Sequence, residues 1–330
     1  YWGKKGTQKP INPSISMTLS NMHTQTRIHY TRAKKQQPRM WLRVNGTDNH
    51  PFTQRIRQYL DALKPYFPFL DHLDLHIDSR NSFPHSAGMA SSASAMSALA
   101  LSLCSIEQKI REEALTPEHF FQKASYMARL GSGSAARSIY GKYVEWGEHA
   151  YGSDEFAHPF AQKVHMPLDF LHDSVLIVSS QPKKIGSSSG HARMDHHPFR
   201  QARIEQALNN LEKLNRALKQ GDFPVFSEVV EEEALSLHAM MLSSKPGYAL
   251  IKEATTKIID QIRSFREDTG TFITFTLDAG PNVHVLYPSE EKEKVREWMH
   301  RQLKPLCEEG KMIRSEEHTS ELQSPSAISY

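Results

Sequence analysis

The chain has 330 residues, of which 38% are hydrophobic and 23% are charged. This composition excludes a wholly disordered chain, and the length suffices for one large domain or two ordinary ones. The 40 Lys and Arg residues exceed the 37 Asp and Glu residues by three, a surplus too small to indicate a nucleic-acid or membrane partner. Cys104 and Cys307 cannot form a disulfide framework, so we expect a reducing, cytoplasmic compartment.

Both ends of the sequence have unusual composition. Residue 1 is Tyr rather than Met, which predicts that the sequence begins inside a longer natural chain. The opening residues lack the charged-then-apolar order of a secretory signal. Residues 314–330 are rich in Ser and Glu and have no apolar period, which predicts a disordered or non-native tail.

The first half of the chain contains strand patterns and one long uncharged run. Residues 26–30 and 40–44 have strand composition and bracket a basic turn, and residues 73–77 alternate apolar with polar side chains. Residues 81–106 contain no Asp, Glu, Lys or Arg. Ser and Ala dominate this run and strongly apolar side chains are sparse, which favours a closely packed buried helix over a membrane span.

The second half of the chain has mainly helical patterns. Apolar residues recur at helical spacing from 199 to 220, where Gly221 ends the pattern. Strands mixed with helices in no strict alternation predict an α+β fold. Further helices are predicted at 225–242, 248–266 and 290–303, and strands at 272–277 and 283–287. The predicted domains are an N-terminal unit at 1–170, a C-terminal unit at 171–313 and a tail at 314–330.

A run of small and hydroxyl residues at 84–93 follows a predicted strand and opens a predicted helix. Its backbone N–H groups can approach an anion closely, and a helix N-terminus adds unpaired donors and a positive dipole end. Ser91 and Ser92 add hydroxyls that suit phosphate oxygens or Mg²⁺. The run is not a Walker loop, because no Gly-Lys-Ser/Thr follows. On these residues alone, a serine-capped buried helix is the favoured interpretation.

A second anion-binding pattern lies at 129–137. Ser132 and Ser134 flank a glycine, and Arg137 follows three residues after the second serine. If Ser134 begins a helix, Arg137 lies one turn later and reaches over the same face. Hydroxyls, backbone donors and a bidentate guanidinium together suit a phosphate or a carboxylate. A helix N-cap with a solvent-exposed Arg remains the alternative.

A single carboxylate, Asp278, ends a predicted apolar strand and precedes a Gly-Pro turn. A carboxylate in this setting is well placed to enter a cleft and to act on a substrate proton. The alternative is a turn Asp that caps its own backbone, which the residues alone favour. The His-rich run at 190–197 matches no zinc-ligand spacing, so we expect no metal there.

Five segments occur in a specific order along the chain: 1–4, 12–16, 83–92, 131–138 and 278–282. In this order they resemble the diphosphomevalonate decarboxylase family of the GHMP kinase superfamily. The resemblance covers nearly the whole chain up to about Ile313. No single segment is decisive, but the combination of all five is highly specific.

The resemblance implies an α+β fold of the GHMP kinase type with two lobes. The N-terminal lobe is then a mixed α/β unit that binds ATP, and the C-terminal lobe is ferredoxin-like. The active site is expected in the cleft between them. Relatives are often homodimers, and neither a nucleic acid nor a membrane is an expected partner.

The activity that the resemblance implies is the ATP-dependent decarboxylation of (R)-5-diphosphomevalonate in the mevalonate pathway of isoprenoid biosynthesis. ATP is the co-substrate and Mg²⁺ the metal ion. The tertiary hydroxyl takes the γ-phosphoryl group of ATP, phosphate and CO₂ then leave, and isopentenyl diphosphate forms.

The family motifs carry over to individual positions of this sequence. Asp278 and Arg137 match catalytic residues, and Ser92 is the expected Mg²⁺ ligand. The expected substrate-binding residues are Tyr1, Trp2, Gly3, Lys4, Ser132, Gly133, Ser134, Ala135, Ala136 and Arg137. The expected ATP-binding residues are Ser86, Ala87, Gly88, Met89, Ala90, Ser91 and Ser92.

Three alternatives remain open from the sequence. One is a GHMP small-molecule kinase that phosphorylates mevalonate or a related alcohol, and another is a mevalonate 5-phosphate decarboxylase. The third belongs to a different class, a non-catalytic anion- or RNA-binding protein, and rests on the basic segment 27–43. A solvated hairpin face explains that segment equally well.

Overall fold

The computed structural model describes residues 4–315 except for 20, 35–37, 49–50, 84–90, 113–114, 148–157, 160–170 and 182–186. The elements of the first half are β1 (Lys4–Lys5), β2 (Lys9–Pro10), β3 (Ser14–Met17), β4 (Thr24–Arg32), β5 (Met40–Val44), β6 (Thr47–Asp48), α1 (Thr53–Leu63), β7 (Leu73–Asn81), α2 (Ser91–Arg111), α3 (Pro117–Gly131), β8 (Tyr143–Trp146) and β9 (His158–Pro159). The elements of the second half are β10 (Leu171–Leu176), α4 (Ser187–Met194), α5 (Arg200–Gln220), α6 (Phe223–Ser243), α7 (Glu253–Thr269), β11 (Thr274–Leu277), β12 (Val283–Pro288), α8 (Lys292–Trp298) and β13 (Met312–Ser315).

The main sheet of the first half has the strand order β4-β7-β5-β6. β4 runs antiparallel and β5 parallel to β7, so Ile28 and Leu42 both lie beside Ile77. The predicted strands at 26–30 and 40–44 are confirmed, but they do not pair with each other. β7 carries the buried side chains Leu75 and Ile77 and lies between them, because a strand with a buried face is stabilised by hydrogen bonds on both edges.

Two of the basic residues of segment 27–43, Arg39 and Arg43, form ion pairs at this sheet. Arg39 forms an ion pair with Asp74, and Arg43 forms one with Asp48. Trp41 stacks on a neighbouring histidine and lies under the Arg39 guanidinium. Acidic residues of the same sheet therefore neutralise part of the positive charge on which the RNA-binding alternative rests.

The uncharged run forms α2, which passes through the core of the first half. Met96, Ala100, Leu103 and Cys104 on this helix are fully buried. The predicted buried helix is thereby confirmed. Across the described ranges, no helix combines the length and the apolar character that crossing a bilayer requires.

The sheet of the second half has the strand order β11-β12-β10-β13, and all its neighbours are antiparallel. One face carries Val283, Val285 and Tyr287, which pack against apolar residues of α7 and α8. Leu171 and Leu286 lie on the opposite face and pack with Tyr143 of the first half. One face of the sheet thus covers the hydrophobic core of the second half, and the other face forms the contact with the first half.

Two element boundaries in the second half differ from the sequence prediction. α7 begins at Glu253 rather than at 248, because the Lys252 N–H donates to Thr255 Oγ1 and fixes the helix start there. β13 includes Arg314 and Ser315, whose backbones pair with Ser174 and Asp173. The strand thus extends two residues past the predicted end of the C-terminal lobe, since this pairing satisfies an edge of β10.

Candidate functional site

The start of α2 presents two serines. Ser91 and Ser92 are the first residues of the helix, where backbone N–H groups have no partner within the helix. Ser92 Oγ is buried and has no hydrogen-bond partner in the described part of the chain. A buried hydroxyl without a partner is costly, and an anion or a metal-bound oxygen would satisfy it. The remaining expected ATP-binding residues, Ser86 to Ala90, lie outside the described residues.

The segment 132–137 lies directly against α2 and α3. Ser132 ends α3, and a 3₁₀ helix follows over Gly133–Ile139. The expected helix therefore starts one residue before Ser134, and it is tighter than an α-helix. Ser97 of α2 donates to the carbonyl of Ala135, and Ser125 of α3 donates to that of Ala136. These two bonds fix the segment beside the helix whose first turn carries Ser92.

Arg137 extends from this 3₁₀ helix towards β3. Its guanidinium donates to Ser14 Oγ and lies 5.8 Å from the centroid of the Trp146 ring. Ser14 and Trp146 are opposite each other in the β3–β8 pair. Gly147 closes this corner at φ +120°, where an added Cβ would lie 2.5 Å from Pro13 Cα. The side chain is therefore held by a hydroxyl and an aromatic face from two neighbouring strands.

A hairpin of β1 and β2 brings Lys4 to the same region. Arg129 is fully buried and donates to the carbonyl of Thr7 at 2.5 Å, while Arg55 donates to the carbonyl of Gly131 at 3.3 Å. Lys4 Nζ donates to Gln8 within the hairpin. Burial and, secondly, the charge of Arg55 lower the pKa of Lys4 from its ordinary value.

Lys4, Arg55, Arg129 and Arg137 thus form a group of four cations at the β1–β2 hairpin and the segment 129–137. Such a concentration of positive charge attracts polyanionic ligands. The sequence predicts Lys4 and Arg137 in this group but assigns no role to Arg55, or to Arg129, which opens the pattern at 129–137. Tyr1, Trp2 and Gly3, which were expected beside Lys4, lie outside the described residues.

Replacement of Gly131 tests how closely this region is packed. An added Cβ would lie 2.7 Å from Met96 Sδ and 2.9 Å from the Tyr59 ring. We expect Gly131→Ala to lower the free energy of unfolding by about 1–3 kcal/mol through overpacking. Gly141→Ala is the matched control, because nothing lies within 4 Å of its added Cβ. Chemical denaturation of both variants measures the difference, and equal stabilities would contradict the packing.

Asp278 follows β11 and is exposed. Its Oδ1 accepts a hydrogen bond from the Ala279 N–H at 2.7 Å, as in the self-capping alternative. Its backbone carbonyl accepts from the Gly280 N–H and lies 3.1 Å from His238 Nε2. Oδ2 makes no hydrogen bond to any residue that the structure describes. The turn thus holds one carboxylate oxygen and leaves the other available to a ligand.

The 278–282 turn lies at the end of β10. Val283 pairs with Leu176, and Asn282 Oδ1 accepts the Ser179 N–H. Phe83, which immediately precedes the run 84–90, packs against Val175 of β10 and Ile177, the residue that follows this strand. The strand leading into the expected phosphate loop therefore reaches the same end of β10 as the Asp278 turn. No direct contact between Asp278 and 131–137 occurs among the described residues.

The His-rich run has a structural role where it is described. His197 Nδ1 accepts the Phe199 N–H, and His197 Nε2 contacts Ser243 Oγ. These bonds join the start of α5 to the end of α6. His238, for which the sequence predicts no role, contacts the Asp278 turn.

Comparisons with known proteins match both halves. Residues 1–157 match a diphosphomevalonate decarboxylase-like N-terminal domain, and residues 174–329 match a mevalonate 5-diphosphate decarboxylase C-terminal domain. The chain is 30% identical over 320 residues to the diphosphomevalonate decarboxylase of Ganoderma lucidum, a match that covers 90% of this chain and 77% of the relative.

Two solved structures show the same fold. The mevalonate diphosphate decarboxylase from Staphylococcus aureus superposes with a TM-score of 0.81 at 29% identity, covering 96% of this chain and 91% of that one. A structure described as MDDEF in complex with MVAPP, AMPPCP and magnesium gives 0.80 at 26% identity, covering 96% and 92%. The predicted α+β fold with two lobes of the GHMP type is confirmed, and the chain belongs to the diphosphomevalonate decarboxylase family.

Proposed function

We propose that the protein catalyses the ATP-dependent decarboxylation of (R)-5-diphosphomevalonate to isopentenyl diphosphate, with release of ADP, phosphate and CO₂. The observation that carries this proposal is the group of four cations around 131–137, in a chain of this family. A substrate with a diphosphate and a carboxylate brings several negative charges that such a group can neutralise.

The substrate contacts fall to the cationic side of the site. Lys4 and Arg137 neutralise the diphosphate and the carboxylate, and the hydroxyls of Ser132 and Ser134 donate to their oxygens. The backbone N–H groups of the 3₁₀ helix complete the donor set. We place Tyr1, Trp2, Gly3, Gly133, Ala135 and Ala136 in the same binding surface.

Asp278 is the proposed catalytic carboxylate. Its available oxygen orients the tertiary hydroxyl and accepts its proton as the γ-phosphoryl group is transferred. After phosphate leaves, the same negative charge favours the developing positive charge at that carbon. CO₂ then departs, and the electrons of the broken C–C bond form the double bond of the product.

The first turn of α2, with the preceding residues from Ser86, is the proposed ATP site. The unpartnered Ser92 hydroxyl fits either a phosphate oxygen or a Mg²⁺ ion, which prefers oxygen ligands. Bound Mg²⁺ would neutralise charge on the phosphate groups. Ser91 lies beside Ser92 at the positive end of the helix dipole.

Replacement of one hydroxyl tests this assignment. We expect Ser92→Ala to weaken binding of AMPPCP with Mg²⁺ by about 10- to 100-fold, the effect of losing a hydrogen bond to a charged group. Ser102→Ala in the same helix is the control, because Ser102 Oγ already donates to the Ala98 carbonyl. Isothermal titration calorimetry gives both constants. Equal affinities in the two variants would place the nucleotide elsewhere.

An assay of ADP and CO₂ in one reaction tests the function. With 5-diphosphomevalonate, ATP and Mg²⁺, we expect one CO₂ for each ADP. ADP without CO₂ would favour the small-molecule kinase. A higher kcat/KM for mevalonate 5-phosphate than for the diphosphate would favour the monophosphate decarboxylase.

We further propose that the enzyme is a cytoplasmic homodimer with no nucleic-acid or membrane partner. The two cysteines are free and buried, which suits a reducing compartment. Light scattering of the purified protein measures the oligomeric state.

A further inference from the structure

A buried ion pair lies beside the Asp278 turn. His284 Nδ1 on β12 lies 2.8 Å from Asp173 Oδ2 on β10. The side chains of His284 and Asp173 are only 12% and 4% exposed. Nothing in the proposed reaction uses either residue directly.

Strand register places these two residues and Asp278 in one diagonal row. His284 lies opposite Val175 on β10 and opposite Thr276 on β11. Asp173 is two residues before Val175, and Asp278 is two residues after Thr276. Residues two apart in a strand share a face, and diagonal neighbours lie about 7–8 Å apart. Asp278 directly follows β11, which ends at Leu277, so the row runs carboxylate, imidazole, carboxylate from β10 across β12 to the residue after β11.

The charges in this row require a cation at its centre. Asp173 Oδ1 is buried without a hydrogen-bond partner, and within the described ranges no cation other than His284 pairs with this carboxylate. A buried carboxylate without a cation is strongly disfavoured. Burial lowers the pKa of His284, but the charge and hydrogen bond of Asp173 and then the charge of Asp278 together outweigh burial and raise this pKa.

The described cross-strand neighbours of His284 do not supply a competing charge. Its cross-strand neighbours Val175 and Thr276 are uncharged. Phe83, from the first half, packs on Val175. His238 on α6 contacts the backbone carbonyl of Asp278 rather than its carboxylate.

We propose that His284, held by Asp173, is a positioning residue that orients the Asp278 carboxylate through the attraction of its positive charge. This inference rests on the proposed function, in which Asp278 accepts the hydroxyl proton. His284 acts through Asp278 and does not touch the substrate. The pair also lies on the face of the sheet that packs against the first half, so it links this contact to the catalytic turn.

The first test needs no enzymatic activity. In NMR titrations of the histidine rings, assigned with His284→Gln, we expect both Asp173→Asn and Asp278→Asn to lower the pH at which His284 titrates. Asp61→Asn, at an exposed residue of α1, is the control and should leave it unchanged. An unaltered His284 titration in Asp278→Asn would overturn the inference, because the two groups would then not be coupled.

The second test separates kcat from KM. Without the neighbouring cation the Asp278 carboxylate loses the attraction that orients it, so His284→Gln should lower kcat with little change in KM for the substrate. His284→Lys restores a cation and should recover part of kcat. Equal kcat values in His284→Gln and His284→Lys would indicate a merely structural role and overturn the inference. Absence of wild-type turnover would instead overturn the proposed function, while the NMR result would still decide the coupling.

The raised His284 pKa also has a consequence for stability. The pair stabilises the fold fully below the ordinary histidine pKa of about 6.5. This contribution is lost as the pH rises through the higher pKa of the folded state. We expect the stability advantage of the wild type over His284→Gln to shrink over that range in denaturation curves, and an advantage that grew with pH would contradict the assignment.

Discussion

The Asp278→Asn variant is expected to bind ATP like the wild type and to turn over about 10²- to 10⁴-fold more slowly. The amide oxygen of Asn can still accept the Ala279 N–H, so the turn keeps its bond. What is lost is the negative charge that accepts the hydroxyl proton. Steady-state kcat and nucleotide titrations measure the two quantities separately.

Asp61→Asn is the matched control for this variant, because it removes an exposed carboxylate from α1. Its turnover should equal that of the wild type. Activity of Asp278→Asn within about threefold of wild type falls well short of a general-base contribution and would refute the catalytic assignment.

The Arg137→Ala variant is expected to lose about 30- to 3,000-fold in kcat/KM for the phosphorylated substrate. Removing one partner of a buried charge pair costs about 2–5 kcal/mol, and each 1.4 kcal/mol corresponds to tenfold. Arg137→Lys keeps the charge but not the planar fork of the guanidinium, so it should retain only part of the wild-type activity. Initial-rate kinetics at varied substrate concentration separate effects on kcat from effects on KM.

Arg43→Ala serves as the control for Arg137→Ala. Arg43 pairs with Asp48 on the exposed face of the first sheet, and exposed pairs contribute little to stability. This variant should show unchanged kinetics. If Arg137→Ala behaved in the same way, the cationic group around 131–137 would not be the substrate site.

Local patterns in the sequence predicted many of the elements of this fold. The uncharged run at 81–106 indicated the buried helix α2, and the helical spacing from 199 to 220 indicated α5. Gly221 ends α5 at φ 71°, a conformation that glycine adopts readily. The Gly-Pro turn between β11 and β12 was equally visible, because turn residues act locally.

Pairings between distant residues were not predictable in this way. Local composition does not reveal that β7 separates β4 from β5, because strand order depends on contacts between distant segments. Arg55 and Arg129 join the site through bonds to residues 76 and 122 positions away. Asp173 and His284 are 111 positions apart. No periodicity within one segment records such contacts.

The family resemblance compensated for part of this limit. Without the resemblance, the residues of segments 84–93 and 278–282 each favoured a structural interpretation. The structure shows that the self-capping interpretation of Asp278 and its availability to a ligand are compatible, since one oxygen serves each purpose. Positioning groups such as His284 carry no sequence signal, because their role depends on which strand lies beside them.

A crystal structure of the complex with 5-diphosphomevalonate, AMPPCP and Mg²⁺ would show whether Arg137 and Asp278 act on one substrate molecule. We expect the diphosphate or carboxylate to contact Arg137 and Lys4, and one Asp278 oxygen to lie about 2.6–3.2 Å from the tertiary hydroxyl. A substrate bound at Arg137 with Asp278 on the far side of the molecule would contradict this expectation.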